Sequence, residues 1–293
     1  MTDASPTDAV TDAVPGFSCR FRTLAAERSS FCCGVDPSDA LLQAWNLSLD
    51  AAGLRVFCER VLEAAEDRLA IFKPQSAFFE RFGPEGVAEL RRFVVGAQER
   101  GSLVLLDAKR GDIGHTLTAY SLGLIGRQSP MGADALTLNA YLGPETLRPA
   151  FEAAVAQGAG LFPVVLSSNP EGRRLQDARL ADGRSVAEYV ADAITDFNNE
   201  TGDDIGPVGG VIGATLGDKA AAVVRRMPKS FFLAPGIGAQ GAGFDDVRRT
   251  FGRAVDRVVP TSSRGVLRHG PDIQSLRDAM ERETRAAFEL AGR

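Results

Sequence analysis

Residues 103–112 read LVLLDAKRGD. The apolar half of this stretch predicts a buried strand, and Asp107, Lys109 and Asp112 follow where that strand runs out. A lysine held between two carboxylates concentrates charge at a place where removing water is costly, so such a cluster is typical of a chemical site. The stretch therefore predicts one strand of a buried sheet whose carboxyl end carries reactive groups.

The same alternation of an apolar run and a helical stripe repeats along the whole chain. Predicted strands lie at 31–35, 69–72, 103–106, 135–138, 161–166, 208–212, 231–234 and 257–259. Predicted helices lie at about 54–65, 87–97, 115–125, 144–157, 185–199, 216–226 and 273–287. The strands are apolar throughout, as in parallel sheets that are covered on both faces.

About eight such β-α units predict an α/β fold, because a doubly wound sheet usually has fewer strands than a closed barrel. We expect a single (β/α)8 TIM barrel over residues 17–293, which form the catalytic domain. An extra N-terminal helix at about 20–28 is predicted to plug the bottom of the barrel. Residues 1–16 are rich in Thr, Asp, Ala and Pro and are predicted to form a disordered tail.

The composition and the charge argue against several classes of protein. The net charge of -5, from 33 Lys and Arg against 38 Asp and Glu, leaves no broad basic surface and argues against nucleic acid as a partner. No stretch approaches the roughly 18 apolar residues of a membrane span, and the N-terminus lacks the features of a secretory signal. Cys32 and Cys33 lie in an apolar run without metal-site spacing and are predicted to be buried thiols. We therefore expect a cytoplasmic protein with no membrane partner.

In a barrel of this type the active site lies at the carboxyl ends of the strands. The polar residues predicted there are Asp36, Lys73, Asp107, Lys109, Asp112, Asn139, Ser167, Ser168, Gln240 and Arg264. The side-chain period of two in a strand places Asp107 and Lys109 on the same side. Neighbouring carboxylates would keep Lys73 and Lys109 protonated despite burial, and a protonated lysine can stabilise and quench a developing carbanion. The alternative is an ordinary surface salt bridge.

Residues 236–241, which read GIGAQG, match the G-x-G-x-x-G pattern of a dinucleotide-binding turn. The match comes after about six β-α units, too late in the chain for a Rossmann half. In a barrel it follows the seventh strand, where phosphate sites are commonly built. Backbone amides near Gly238, the amide of Gln240 and the guanidinium of Arg264 would then hold a phosphate. The alternative is a set of flexible loops.

Several candidates have a plain structural alternative. Asp36 can accept hydrogen bonds from sugar hydroxyls, or it can cap the turn that begins at Asp36-Pro37. The serines Ser167 and Ser168, with Asn169, can contact the polar edge of a heterocycle, or they can cap their own loop. His115 is predicted to be a capping or packing residue, because no metal or nucleophile partner is apparent.

These motifs resemble the orotidine 5'-phosphate decarboxylase family over about residues 31–266. The resemblance rests on D-x-K-x-x-D with Thr116 beyond it, on Lys73 after the second strand, and on GVDP at 34–37. PGIG at 235–238 with Gln240, and SRG at 263–265, match in kind and order. The segments FKPQSAFFE at 72–80 and RG at 110–111 resemble the bacterial type 2 branch.

The resemblance implies decarboxylation of orotidine 5'-monophosphate to uridine 5'-monophosphate, the last step of de novo pyrimidine (UMP) biosynthesis, without metal or cofactor. It implies a catalytic array of Lys73, Asp107, Lys109 and Asp112, in which Lys109 protonates C6 of the pyrimidine. The implied substrate-binding residues are Asp36, Thr116, Ser168, Gly238, Gln240 and Arg264. Asp36 would bind the ribose, Ser168 or the adjacent Ser167 the pyrimidine, and the last three the 5'-phosphate. The resemblance also implies a homodimer in which Asp112 and Thr116 reach the partner's active site.

Three other functions fit parts of the pattern. A metal-dependent phosphosugar lyase or epimerase would share the D-x-K-x-x-D layout and the phosphate site but would need a divalent ion. A catalytically silent barrel would bind a phosphometabolite without turnover. A dehydrogenase would use the glycine pattern at 236–241 for a dinucleotide, which the late position of that pattern disfavours.

Overall fold

The computed structural model describes residues 15–236 and 243–292. Eight parallel strands close into a barrel in sequence order, with β1 paired to both β2 and β8. The strands are β1 Cys32–Val35, β2 Ile71–Pro74, β3 Leu103–Arg110, β4 Ala135–Leu138, β5 Gly160–Leu166, β6 Gly210–Ile212, β7 Phe232–Pro235 and β8 Val258–Ser262. The predicted TIM barrel is therefore confirmed. Of the predicted tail, residues 1–14 lie outside the described residues.

Helices surround the barrel between successive strands. They are α1 Phe17–Arg28, α2 Asp39–Ala44, α3 Ala51–Ala65, α4 Ala77–Glu80, α5 Gly83–Glu99, α6 Gly114–Leu124, α7 Arg148–Ala156, α8 Gly172–Gln176, α9 Val186–Glu200, α10 Asp218–Arg226, α11 Phe244–Phe251, α12 Arg264–Leu267 and α13 Ile273–Leu290. The helix predicted from residue 144 begins as a 3-10 turn, Pro144–Leu147, before α7. None of the described helices is long and apolar enough to cross a membrane.

Among the strands, the largest departure from a predicted boundary is in β3, which continues past its apolar run to Arg110. Arg110 pairs with Leu138 of β4 although Asp107 and Lys109 before it are charged. The apolar pattern predicts too short a strand, because the backbone of β3 still pairs with β4 beyond the last apolar residue of the run. This extension carries Asp107 and Lys109 on the strand itself rather than on a loop.

The helix before the first strand closes the amino-terminal end of the barrel, as predicted, and begins at Phe17. The rings of Phe17 and Phe21 stack, and each meets a barrel residue edge-on, Phe162 and Phe231 respectively. These side chains belong to the apolar cluster that fills the barrel interior. The barrel is therefore a packed core with one end sealed, and its open mouth lies at the carboxyl ends of the strands.

Candidate active site

The predicted array of lysine and aspartate forms at the mouth of the barrel. Nζ of Lys73, in β2, lies 2.8 Å from Oδ2 of Asp107, and Nζ of Lys109 lies 2.6 Å from Oδ1 of the same carboxylate. Lys73 and Asp107 are only 5% and 6% exposed, whereas the side chain of Lys109 is 46% exposed and opens to the mouth. The surface salt-bridge alternative is therefore wrong for the Lys73–Asp107 pair.

The charges of Lys73 and Asp107 stabilise each other. Burial alone would raise the pKa of Asp107, but the ammonium groups of Lys73 and Lys109 hold it well below its ordinary value. Burial alone would lower the pKa of Lys73, but the carboxylates of Asp107 and Asp36 hold it above its ordinary value. Both groups therefore stay ionised at neutral pH, and a permanent charge pattern faces the mouth.

The backbone at Lys109 is irregular. Its φ of 45° lies in the left-handed region, which a side chain with a Cβ rarely adopts. The hydroxyl of Thr137, in β4, accepts hydrogen bonds from N–H of Ala108 and of Lys109 and donates one to Asp107. Regular strand geometry predicted that the side chains of Asp107 and Lys109 lie on the same side. The two side chains do contact each other, but the backbone at Lys109 is irregular. Thr137 was not predicted, although it is the polar residue of the ALTL strand.

Asp36 follows β1 and does not cap the next helix with its side chain. Ser38 performs that role, because its hydroxyl accepts from N–H of Leu41 at the start of α2. Oδ1 of Asp36 is buried and has no hydrogen-bond partner among the described residues. A buried carboxylate oxygen without a donor is costly, so this atom is available for a donor from a ligand.

The loop after β5 separates the two candidate serines. Ser167 donates its hydroxyl to Oδ1 of Asn169 and accepts from Nε2 of Gln176, so its side chain stabilises its own loop. The capping alternative therefore holds for Ser167 and Asn169. Ser168 lies against Gly213, just beyond β6, where a Cβ on the glycine would come within 3.0 Å of the serine.

The structure does not bring Asp112 into the array of its own chain. Its carboxylate accepts from N–H of Ile113, and it forms no ion pair with any residue that the structure describes. Thr116 is exposed on α6, as is His115 in the first turn of that helix. Asn139 accepts from N–H of Tyr141 and so stabilises its own turn.

The predicted phosphate site is only partly described. Arg264 is exposed and begins α12 directly after β8, at the mouth of the barrel. Gly238 and Gln240 lie outside the described residues. Across residues 15–236 and 243–292 there is no group of three or more His, Cys, Asp and Glu side chains that could hold a metal ion.

A closed parallel barrel with a buried aspartate between two lysines at its mouth defines a (β/α)8 enzyme. A family model described as the orotidine 5'-phosphate decarboxylase / HUMPS family matches residues 30–279. The chain belongs to this family, as its motifs indicated.

The relatives of this chain are similar over nearly their full length. Proteins named orotidine 5'-phosphate decarboxylase from Myxococcus xanthus and Streptomyces coelicolor are 51% and 48% identical to it. The alignments cover 91% of this chain and 93% and 95% of those proteins. A crystal structure described as an orotidine 5'-phosphate decarboxylase from Streptomyces avermitilis superposes with a TM-score of 0.89 at 45% identity, covering 96% of this chain and 97% of that one. These bacterial relatives are consistent with the predicted bacterial branch.

Proposed function

We propose that this chain decarboxylates orotidine 5'-monophosphate to uridine 5'-monophosphate in pyrimidine biosynthesis, with Lys109 as the proton donor to C6. The observation that carries the assignment of roles is the array itself, in which Lys73 and Lys109 flank the buried carboxylate of Asp107 at 2.8 and 2.6 Å. The family membership of the chain supports the substrate and the reaction.

The chemistry requires a cation at C6. When the bond from C6 to the carboxylate breaks, its electron pair stays on C6, and the ring offers no conventional electron sink. An ammonium group that is already in place stabilises this charge as it develops and then transfers a proton to C6. Lys109 is suited to this step because its Nζ is anchored on Asp107 and its side chain opens to the mouth. The neutral amine regains a proton from solvent after the product leaves.

Asp107 and Lys73 give the array its fixed charge. Asp107 would lie beside the carboxylate of the substrate, so that departure of neutral CO2 relieves repulsion between two anions. Lys73 is buried and bonded to Asp107, and its remaining N–H groups can donate to the ribose. In this arrangement the protein's own ammonium and carboxylate groups stabilise charge, hold the substrate and transfer the proton.

The remaining predicted residues would bind the rest of the nucleotide. The buried, unpartnered Oδ1 of Asp36 can accept from a ribose hydroxyl. We assign Ser168 to the pyrimidine, as the resemblance to the family implies. We assign Gly238, Gln240 and Arg264 to the 5'-phosphate, where Arg264 can bind two oxygens at once.

We also propose that the active unit is a homodimer in which Asp112 and Thr116 complete the partner's site. Asp112 does not reach the array of its own chain, and large apolar side chains on the segments that follow β3 and β4 are exposed. Ile113 and Leu122 are 59% and 60% exposed, and Tyr141 and Leu142 after β4 are exposed as well. An apolar surface of this kind beside an incomplete site is typical of an interface between copies.

The proposed activity is tested by following the ultraviolet absorbance of orotidine 5'-monophosphate with purified protein, with and without EDTA. We expect rapid loss of absorbance that EDTA does not affect. The Lys109→Ala variant should lose more than about 1,000-fold in kcat, because proton donor and charge stabilisation disappear together. Lys219→Ala, at an exposed lysine of α10, is the matched control and should keep full activity.

Two outcomes would contradict this assignment. A folded protein without turnover would remove the decarboxylase function and would favour a silent binding barrel. Activity on phosphosugars that EDTA abolishes would favour the metal-dependent lyase or epimerase class. Full activity of the Lys109→Ala variant would instead leave the reaction in place and remove the role of Lys109.

A further inference from the structure

Thr137 carries a buried hydroxyl whose hydrogen bonds all go to β3, the strand that holds Asp107 and Lys109. It lies in β4, is 1% exposed, and its neighbours in that strand are apolar. Its Oγ1 accepts from N–H of Ala108 at 3.1 Å and from N–H of Lys109 at 3.0 Å, and it donates to Oδ1 of Asp107 at 2.8 Å. A hydroxyl has one donor and two acceptor positions, so all three are used on this one segment.

These bonds replace backbone pairing that is missing at this place. Leu106 pairs with Leu136 and Arg110 pairs with Leu138, so three residues of β3 lie opposite Thr137 alone. Two successive N–H groups of β3 therefore point at one side-chain oxygen instead of at backbone carbonyls. Such an irregularity is a common way to redirect a side chain next to an active site.

The irregular segment determines where the ammonium of Lys109 lies. A lysine with a φ of 45° is strained, and strain of this kind persists only where the surroundings hold it. Thr137 holds the N–H of that residue and also shares Oδ1 of Asp107 with Nζ of Lys109. One hydroxyl thus anchors both the backbone of the lysine and the carboxylate that its ammonium contacts.

We propose that Thr137 is a positioning residue for the reaction: it sets the position of the Lys109 ammonium without contacting the substrate. This inference rests on the proposed role of Lys109 as proton donor. Because Thr137 acts on the group that meets C6, and not on the groups assigned to ribose or phosphate, its loss should reduce kcat and leave KM nearly unchanged. A purely structural hydroxyl would change neither constant in the folded enzyme.

The test compares three variants of the full chain with the wild type. Thr137→Val keeps the shape of the side chain and removes the hydroxyl, whereas Thr137→Ser keeps the hydroxyl. Ser102→Ala is the matched control, because Ser102 is also fully buried and its hydroxyl donates to the carbonyl of Leu69 at the opposite end of β3. The measurements are kcat and KM for orotidine 5'-monophosphate, the urea midpoint, and the affinity for uridine 5'-monophosphate.

We expect Thr137→Val to lose about 100-fold in kcat with KM within about threefold of the wild type, since a displacement of about 1 Å at a reacting group can have that effect. Thr137→Ser should recover kcat to within about fivefold of the wild type, and Ser102→Ala should keep it, although its urea midpoint falls. If Thr137→Val does not fold, Thr137→Ala is measured instead. The stoichiometry of uridine 5'-monophosphate binding then gives the fraction of this variant that is folded.

The inference is overturned if a folded variant without the hydroxyl keeps kcat within about fivefold, if its defect is in KM, or if Thr137→Ser is as impaired as Thr137→Val. Failure of the proposed function is recognised separately, because the wild type itself would then not decarboxylate the nucleotide.

Discussion

At the scale of single residues, the charge pattern at the mouth of the barrel centres on one buried carboxylate. Asp107 stays ionised because two ammonium groups and the hydroxyl of Thr137 lie within hydrogen-bond distance. Burying Lys73 without that carboxylate would be costly, since an isolated buried charge is expensive. Lys73 and Asp107 therefore stabilise each other's charge, and the removal of either one changes the pKa of the other.

The raised pKa of Lys73 gives a testable dependence of stability on pH. A lysine whose pKa is raised on folding contributes stability that is fully present below its unfolded value, about 10.4, and that is lost as the pH rises through its folded value. The difference in free energy of unfolding between wild type and Lys73→Met should therefore stay constant from about pH 6 to pH 9 and should shrink above about 10.4.

Urea titrations across this pH range measure the difference. Lys219→Met, at an exposed position on α10, is the control and should show a difference near zero throughout. A difference for Lys73→Met that rises between pH 8 and pH 10, or that does not shrink above about 10.4, would mean that the folded protein does not hold this proton more tightly than the unfolded chain does.

At the scale of elements, the two ends of the barrel have separate roles. The carboxyl ends of β2 and β3 carry the charged array, and α1 seals the amino-terminal end with apolar rings. Arg20 of α1 also donates to the buried carboxylate of Asp134, which precedes β4. Stability and chemistry are thus built at opposite ends, as is usual in barrels of this type.

This separation predicts that α1 can be weakened without loss of catalysis. Phe17→Ala should lower the free energy of unfolding by about 3 kcal/mol, because it removes a buried ring that contacts Phe21 and Phe162. At 25 °C kcat should remain within about twofold of the wild type, since the site lies at the other end. Denaturant unfolding and steady-state kinetics measure the two effects.

Val155→Ala, at an exposed apolar position of α7, is the control and should change stability by less than about 0.5 kcal/mol. A large fall in kcat of folded Phe17→Ala would show that the two ends of the barrel are coupled.

At the scale of the whole molecule, a single chain presents an array that lacks one predicted member. Lys73, Asp107 and Lys109 meet within the chain, whereas Asp112 and Thr116 lie outside the array, and Ile113 between them in sequence is exposed. This arrangement supports the proposed dimer, because a second copy would both cover the apolar surface and supply the missing carboxylate.

Mixed dimers test the proposal directly. Two-tag purification can isolate dimers that pair a Lys109→Ala subunit with an Asp112→Ala subunit. If Asp112 acts across the interface, one of the two sites has a complete array, and the mixed dimer should show about half the wild-type activity per dimer. Each variant alone should be nearly inactive.

Mixed dimers that are as inactive as either parent would mean that Asp112 acts within its own chain, whereas a fully active Asp112→Ala variant would mean that Asp112 has no role in catalysis. A monomeric but fully active wild type, measured by sedimentation, would contradict the dimer itself.

The sequence by itself determined the barrel and three charged residues that meet at its mouth, Lys73, Asp107 and Lys109. Short apolar runs that alternate with helical stripes along the whole chain allow little except a parallel sheet that is covered on both faces. Once the strands are placed, the barrel gathers whatever follows them, so Lys73 and Asp107 could be brought together from 34 residues apart without knowledge of the fold's details. These signals are local in sequence, which is why they could be read directly.

Only the tertiary structure decided how these groups are held. The bonds of Thr137 depend on the register of β4 against an irregular β3, and the left-handed backbone of Lys109 depends in turn on those bonds. The hydrogen bond from the amide of Gln176 to the Ser167 hydroxyl likewise depends on how the loop after β5 folds back. A hydroxyl or carboxylate finds its partner through space, and periodicity along the chain carries no information about that partner. For the same reason periodicity along the chain carries no signal that Asp112 lies outside the array of its own chain, although the resemblance to the family implied it.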